Sequence, residues 1–270
     1  MKQLSIIAVI LITISTQSFA QRGWELGGYI GSSFYFGDLN TEFRLNKPRP
    51  AFGIVGRRNF NTRVCASMSL NYSRVAANDE DSSNSFENMR NLSFFGNVID
   101  LSTIIEFNFF NYVHGDKNEW FTPYMFAGFG VLNCNPKAEL NGVSYSLRDL
   151  GTEGQSVGNE YGTITTSFVA GIGLKWDINY EYSFNLHLRA NRVLSDHFDD
   201  VSGTYPDLNQ LESRRGIEAA QLSDRSGIDG FASIGRQRGD SRNRDTYIVI
   251  GIGIMKYFGY LPCPAISDHK

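Results

Sequence analysis

The sequence predicts an all-β fold: an eight-stranded antiparallel up-and-down transmembrane β-barrel with long extracellular loops. Three observations point there. Apolar residues recur at every second position in eight separate segments, the connections between segments alternate short and long, and the faces opposite the apolar ones are small, hydroxylated or glycine. A two-residue period belongs to a strand, whose side chains alternate between two faces.

The segments follow in order. Trp24 to Asp38 sets Trp24, Leu26, Ile30, Phe34 and Phe36 against Glu25, Tyr29, Ser33 and Tyr35. Pro50 to Phe60 sets Phe52, Ile54 and Phe60 against Gly53, Arg57 and Asn59. In Arg63 to Arg74, Val64, Ala66, Met68, Leu70 and Tyr72 oppose Arg63, Cys65, Ser67, Ser69 and Asn71. Leu92 to Phe110 places Ile99, Leu101, Ile105, Phe107 and Phe109 opposite Asp100, Ser102, Glu106 and Asn108. Phe121 to Asn133 alternates less cleanly, with Met125, Phe129 and Val131 against Tyr124, Gly128 and Gly130. Ile164 to Ile178, Tyr180 to Ser195 and Thr246 to Phe258 complete the set, the last with Ile248, Ile250, Ile252 and Ile254 opposite Tyr247, Gly251 and Gly253.

The second and third segments are joined by little more than Asn61-Thr62, the fourth and fifth by "NYVHGDKNEW", and the sixth and seventh by a turn near Asn179. The other four connections are long: "LNTEFRLNKPR", "VAANDEDSSNSFENMRN", 134–162 and 196–245. This alternation is that of a membrane barrel with short periplasmic turns and long outer loops. A water-soluble barrel would turn its apolar face inward. Here the small, glycine-rich and hydroxyl-rich face suits the cramped lumen of eight strands, so the apolar face is expected to meet lipid. A charge there costs about 2–4 kcal/mol at mid-bilayer. Arg58 and Lys256 lie at strand ends, where long side chains snorkel.

The first twenty residues, "MKQLSIIAVILITISTQSFA", carry a lysine, an apolar stretch too short to span a bilayer, and a small-x-small site before Gln21. They read as a removable secretory signal cleaved between Ala20 and Gln21. The expected organisation is a signal over 1–20, a barrel over 21–258 with the long outer loop 196–245 as a folded cap, and a periplasmic tail over 259–270. Loss of Lys2 takes the formal charge from −3 to −4. No concentrated basic surface suggests nucleic acid. Three cysteines, Cys65, Cys134 and Cys263, exclude a disulfide scaffold. A Cys65–Cys263 bridge at the periplasmic mouth and two free thiols both stay open.

Inward charges gather at one mouth. Glu25, Arg57, Arg63, Glu106, Lys175, Asp177 and Glu181 are expected to form a luminal ionic plug with a structural role. "AGFG", "AGIG" and "IGIG" lie inside strands, not at the strand-to-helix junction a dinucleotide needs. The four histidines lack metal-ligand spacing, so neither a cofactor nor a metal is expected. Ser195, Asp196 and His197 at a strand exit are the residues a rim hydrolase would use, and adjacent polar residues there read first as solvated loop. Arg238-Gly239-Asp240 matches an adhesion tripeptide that occurs often by chance. The loop 196–245 mixes arginines with acids and holds Asp207 and Gln210 in a capping-box arrangement ahead of "LESRRGIEAAQL".

Several ordered motifs resemble a known family: "YFGDLN" at Tyr35, "RPAFGIVGRRNFN" at Arg49, "RNLSFFGNVIDLSTIIEFNFF" at Arg90, "FTPYMFAGFGVLNCNPKAEL" at Phe121, "LGTEGQ" at Leu150, "DDVSGTYPDL" at Asp199 and "SDRSG" at Ser223. Together they resemble the PorG family, the outer-membrane barrel of the type IX secretion system, over essentially the whole mature chain. The resemblance implies a non-enzymatic outer-membrane protein, with both termini periplasmic, that associates with a ring of PorK-like lipoprotein and PorN-like subunits. In some bacteria this machinery supports gliding. No catalytic residues carry over, and no small-molecule substrate is expected. The rival reading is an independent surface barrel that binds external ligands through its loops.

Overall fold

The computed structural model describes residues 23–240 and 244–259. Ten strands form in chain order: β1 (Gly23–Phe36), β2 (Arg49–Asn59), β3 (Val64–Asn78), β4 (Ser93–Asn108), β5 (Phe121–Cys134), β6 (Lys137–Leu140), β7 (Val143–Ser146), β8 (Ile164–Asp177), β9 (Tyr182–Val193) and β10 (Thr246–Gly259). Eight of them make the barrel wall. Each wall strand is antiparallel to its neighbours, β1 pairs with both β2 and β10, and the β3–β4 pairing belongs to the same ring, leaving no edge. The short β6–β7 hairpin joins the wall ladder at Lys137, opposite Phe95 of β4, and buries Ala138 against wall residues.

Each expected segment coincides with a wall strand to within a few residues. The largest difference is β3, which runs on to Asn78 rather than ending at Arg74. Val75 and Ala77 keep the inward period there and pair with Gly96 and Phe94, so the ladder outlasts the apolar pattern that marks the belt. Wall strands of 11 to 16 residues meet or exceed the roughly 9–11 a tilted strand needs to cross a bilayer. Among the described residues no helix is long and apolar enough to cross a membrane.

The wall is inside-out relative to a soluble protein. Ile30 is 66 % exposed, Phe129 67 % and Ile172 60 %, while Ser33, Ser167, Ser183 and Asn191 inside are fully buried. Apolar surface on this scale stays stable only where water is replaced by an apolar medium. Inside, bulky rings fit because glycine faces them. A Cβ at Gly53 would lie 2.6 Å from the Tyr29 ring, and one at Gly251 2.6 Å from the His187 ring.

The four long connections are also folded. Helices α1 (Ser85–Arg90), α2 (Leu147–Leu150), α3 (Leu208–Arg215) and α4 (Ile217–Ser223) lie in three of them, and a Gly37–Asn40 bridge closes a turn in the first. Asn84 caps α1 by accepting from Phe86 N–H. Asp207 caps α3, accepting from the Asn209 and Gln210 N–H groups at 3.0 and 3.2 Å. The Gln210 amide answers by donating to the Asp207 carboxylate, not to its backbone, a variant of the expected reciprocal cap. The loops pack Leu39, Leu92, Leu147, Phe198, Val201 and Leu222 into one apolar cluster that continues into the lumen through Tyr35, Val98 and Tyr247. They form a lid over one mouth.

Candidate functional site: the plugged lumen and its lid

Register places the plug. Glu25 and Arg57 are cross-strand partners on β1 and β2, and Cys65 and Glu106 are partners on β3 and β4. Arg57 Nη1 donates to Glu25 at 2.7 Å and its Nε lies 2.9 Å from Glu106 Oε2, where Lys175 Nζ approaches to 2.7 Å. Neutral groups satisfy the remaining valences. Asn59 donates to Glu25, Ser67 to Glu106, Arg57 Nη2 to Asn185, and Lys175 to Asn108 Oδ1 at 3.0 Å. Buried charges survive only when paired and hydrogen-bonded in this way.

Asp177 belongs to an adjoining group. It accepts from the Tyr112 hydroxyl and from Gly115 N–H, and its Oδ1 lies 2.9 Å from His114 Nδ1. The other ring nitrogen of His114 is 3.3 Å from Glu25, and the ring stacks on Tyr257 at 4.3 Å. Burial disfavours a charged imidazole at His114. The hydrogen bonds and charges of Asp177 and Glu25 outweigh that and raise its pKa to about 9. The plug then holds three acids, Glu25, Glu106 and Asp177, against Arg57, Lys175 and His114.

Two expected members stand elsewhere. Arg63 is exposed on the β2–β3 turn, donating to Asn111 and to the Phe109 carbonyl. Glu181 is exposed and faces Lys256 on the outer surface at 3.6 Å. Each sits one residue outside a strand, and once the ladder ends the two-residue period no longer sets direction. His114 was not legible as a plug residue because it comes from a turn, although the surplus acid left by Arg63 and Glu181 is a signal that a cation is missing. Cys65 is a buried thiol with Lys175 Nζ 3.8 Å from its sulfur. Cys263, the cleavage pair Ala20 and Gln21, and the tail beyond Gly259 lie outside the described residues.

A second ionic layer sits nearer the lid. Arg189 Nη2 donates to Asp100 at 2.6 Å and to Ser102 at 2.8 Å, and Asn71 donates to the same carboxylate oxygen at 2.6 Å. Between the layers lies a cavity of about 50 Å³ bordered by Tyr29, Tyr124, Phe126, His187 and Met255. That is room for roughly three or four waters. The lumen is filled at two levels and is no conduit for a polypeptide.

The lid has its own charges. Arg90 makes two bonds of 2.7 Å to Asp79 and donates to the Asp38 and Arg238 carbonyls. Arg238 is buried and paired with Glu153 at 3.1 Å, so the Arg238-Gly239-Asp240 tripeptide does not display its arginine. The Tyr35 hydroxyl lies 2.5 Å from Asp199 and 2.6 Å from Asp245. Burial first, then neighbouring acids, raise Asp199 and Asp245 well above the carboxylate range. One hydroxyl proton cannot serve two carboxylates, so one of the pair holds a proton. The hydrolase arrangement does not form. Ser195 Oγ accepts from the His197 backbone, and the His197 ring bonds Ser202 at 2.9 Å beside Glu153. Among the described residues no group of three His, Cys, Asp or Glu is placed to hold a metal.

The model of the family described as "Domain of unknown function (DUF6089)" matches residues 2–216. The chain belongs to this family. No curated protein matches it. Among solved structures, this DUF6089 chain is similar to Ail, the attachment invasion locus protein of Yersinia pestis, crystallised with sucrose octasulfate: 12 % identity and a TM-score of 0.43, over 88 % of this chain and 99 % of that one. It is similar to the outer membrane protein OprG of Pseudomonas aeruginosa at 10 % identity and a TM-score of 0.43, over 89 % and 97 %. Neisserial surface protein A gives 10 % identity and a TM-score of 0.43, over 87 % and 97 %.

Proposed function

We propose that this protein is a non-enzymatic outer-membrane barrel whose short turns face the periplasm and whose lid faces outward, and that it anchors or stabilises a PorK/PorN-like ring of the type IX secretion system. The observation that carries the membrane reading is the inverted wall, apolar outside and ionic inside. The two ionic layers favour an anchor over a channel, since eight strands leave a lumen that side chains fill. The partner rests on the ordered motifs that resemble PorG. In this reading both ends of the mature chain lie in the periplasm with the turn from Val113 to Glu119, whose exposed Asp116, Lys117 and Asn118 surround the anchored His114. The ring would meet this face.

Affinity purification from detergent-solubilised envelopes tests it. PorK-like and PorN-like subunits are expected to co-purify, and crosslinks from cysteines introduced at Asp116 and Ser267 are expected to reach them. Their consistent absence, with secretion intact in a deletion strain, would overturn the anchor. A second reading, a surface barrel that binds external ligands, draws on the folded lid, where Phe43, Val157 and Ile234 are each 71 % exposed. It predicts that deleting the lid loops abolishes ligand capture and leaves secretion unchanged. A Ser195→Ala strain with unaltered envelope lipids would dispose of the hydrolase.

A further inference from the structure

Just beyond the apolar belt, at the lid end of β3 and β4, the outer wall carries a cluster of cations. Below it Ile99 and Leu101 of β4 are outward and exposed. Continuing up the same face come Asn97, Phe95 and Ser93. Arg74 of β3 is exposed, and its guanidinium lies over the Phe95 ring at 5.3 Å. Lys137 of β6 is the cross-strand partner of Phe95, is exposed, and so flanks the ring on its other side. From the lid, Arg225 reaches across to donate to Ser93 Oγ at 2.6 Å. Three cations from three separate segments therefore converge on one rib of β4.

None of the three has a carboxylate partner among the described residues, whereas Arg90, Arg148, Arg215 and Arg238 of the lid do. Of the acids nearest in sequence, Asp79 is taken by Arg90, Glu80 accepts from the Asn78 amide, Asp224 accepts from Ser226 N–H, and Glu139 stands two residues beyond Lys137 on the same exposed face of the hairpin. These cations without an ion-pair partner gather on a protein whose formal net charge is −3. It stands directly above apolar surface, where a lipid headgroup would lie. Tyr72 and Asn97, hydrogen-bonded to each other at 3.1 Å, add polar groups at the same level.

We infer that Arg74, Lys137 and Arg225 form a binding site for the phosphate of an anionic lipid in the leaflet on the lid side, its acyl chains lying along Ile99 and Leu101. Arginine supplies planar, two-pronged recognition of phosphate, and lysine adds a point charge. Cations at a membrane surface contribute about 1 kcal/mol each toward an anionic headgroup, roughly fivefold in affinity. This inference rests on the membrane reading above. It adds a consequence: because Arg225 belongs to the lid, a bound lipid would also tie the lid to the wall.

The test uses the full mature chain in nanodiscs of phosphatidylcholine containing either bisphosphorylated lipid A or the same lipid enzymatically stripped of phosphate. Lipid retained after detergent extraction is counted by native mass spectrometry. The phosphorylated form is expected to be retained preferentially, Arg74→Gln and Lys137→Gln each to lower retention roughly fivefold, and Arg192→Gln, at an isolated outward cation on β9, to leave it unchanged. Retained heat-dependent gel mobility of each variant shows that the barrel is folded. Equal retention of both lipids by an inserted barrel overturns the site and leaves the membrane reading standing. Displacement by inorganic phosphate at physiological concentration assigns a free-anion site and overturns the lipid. A chain that stays soluble and never enters the disc overturns both.

Discussion

The two ends of this barrel bury charge in opposite ways. At the turn end, Glu25, Glu106 and Asp177 face Arg57, Lys175 and His114 at distances of 2.7 to 3.3 Å, and the charges balance. At the lid end acids are in excess: Tyr35 is clamped between Asp199 and Asp245, and Asp38 and Asp196 lie close enough to add to their repulsion. A balanced network resists both protonation and deprotonation, whereas an acid-rich one keeps its geometry only by holding protons. The contrast predicts a plug that holds through neutral pH and a lid that responds to it.

The largest expected effect comes from unbalancing the plug. Arg57→Met removes the cation shared by Glu25 and Glu106 and leaves buried carboxylates short of partners, at about 3–5 kcal/mol. Urea unfolding in lipid bilayers, followed by tryptophan fluorescence, measures it. A loss below about 1 kcal/mol would mean that water reaches the plug, since exposed pairs contribute that little. Next is packing. Gly251→Val drives a side chain into the His187 and Tyr29 rings and is expected to cost about 1–3 kcal/mol in the same assay.

Proton linkage separates the two ends. Asp199 and Asp245 are raised in the folded state, Asp38 to about 6 and Asp196 to about 7, burial being the main cause in each. Acids with raised folded pKa values stabilise fully below their unfolded values near 4, and the contribution is lost as pH climbs through the folded ones. Amide exchange in 196–240, corrected for intrinsic rate, is therefore expected to accelerate between pH 5 and 8, and Asp199→Asn to flatten that dependence. His114 shows the same sign at higher pH: its contribution is complete below about 6.5 and lost through about 9, so the turn end loosens only in alkali. His114→Gln abolishes that step. The smallest effect is expected from Asp207→Ala, which removes the cap of α3 at about 1 kcal/mol and shows as faster proteolysis within the lid.

The wall was legible because lipid and lumen impose opposite chemistry on alternate residues. Within β4, Ile99, Leu101 and Ile105 against Asp100, Ser102 and Glu106 identify strand, face and surroundings together. Of the seven anticipated plug residues, Glu25, Arg57, Glu106 and Lys175 lie buried and Asp177 half-buried where that pattern sends them, and Arg63 and Glu181 depart because they occupy turns. The lid was legible only where a local rule operates, as at Asp207. Its β6–β7 hairpin and α4 carry no period strong enough to read, and α1 hides inside a polar run from Asn84 to Asn91.

By itself the sequence determined the number of spanning strands, which face meets lipid and which end carries the long loops, since each follows from a two-residue period repeated along the chain. Only the tertiary structure decided that His114 completes the plug, that Tyr35 joins Asp199 to Asp245, and that Arg74, Lys137 and Arg225 meet on one rib. Those contacts join residues as far as 210 positions apart. Closing the ring and folding the loops over it brings them together, and no local pattern encodes such a distance.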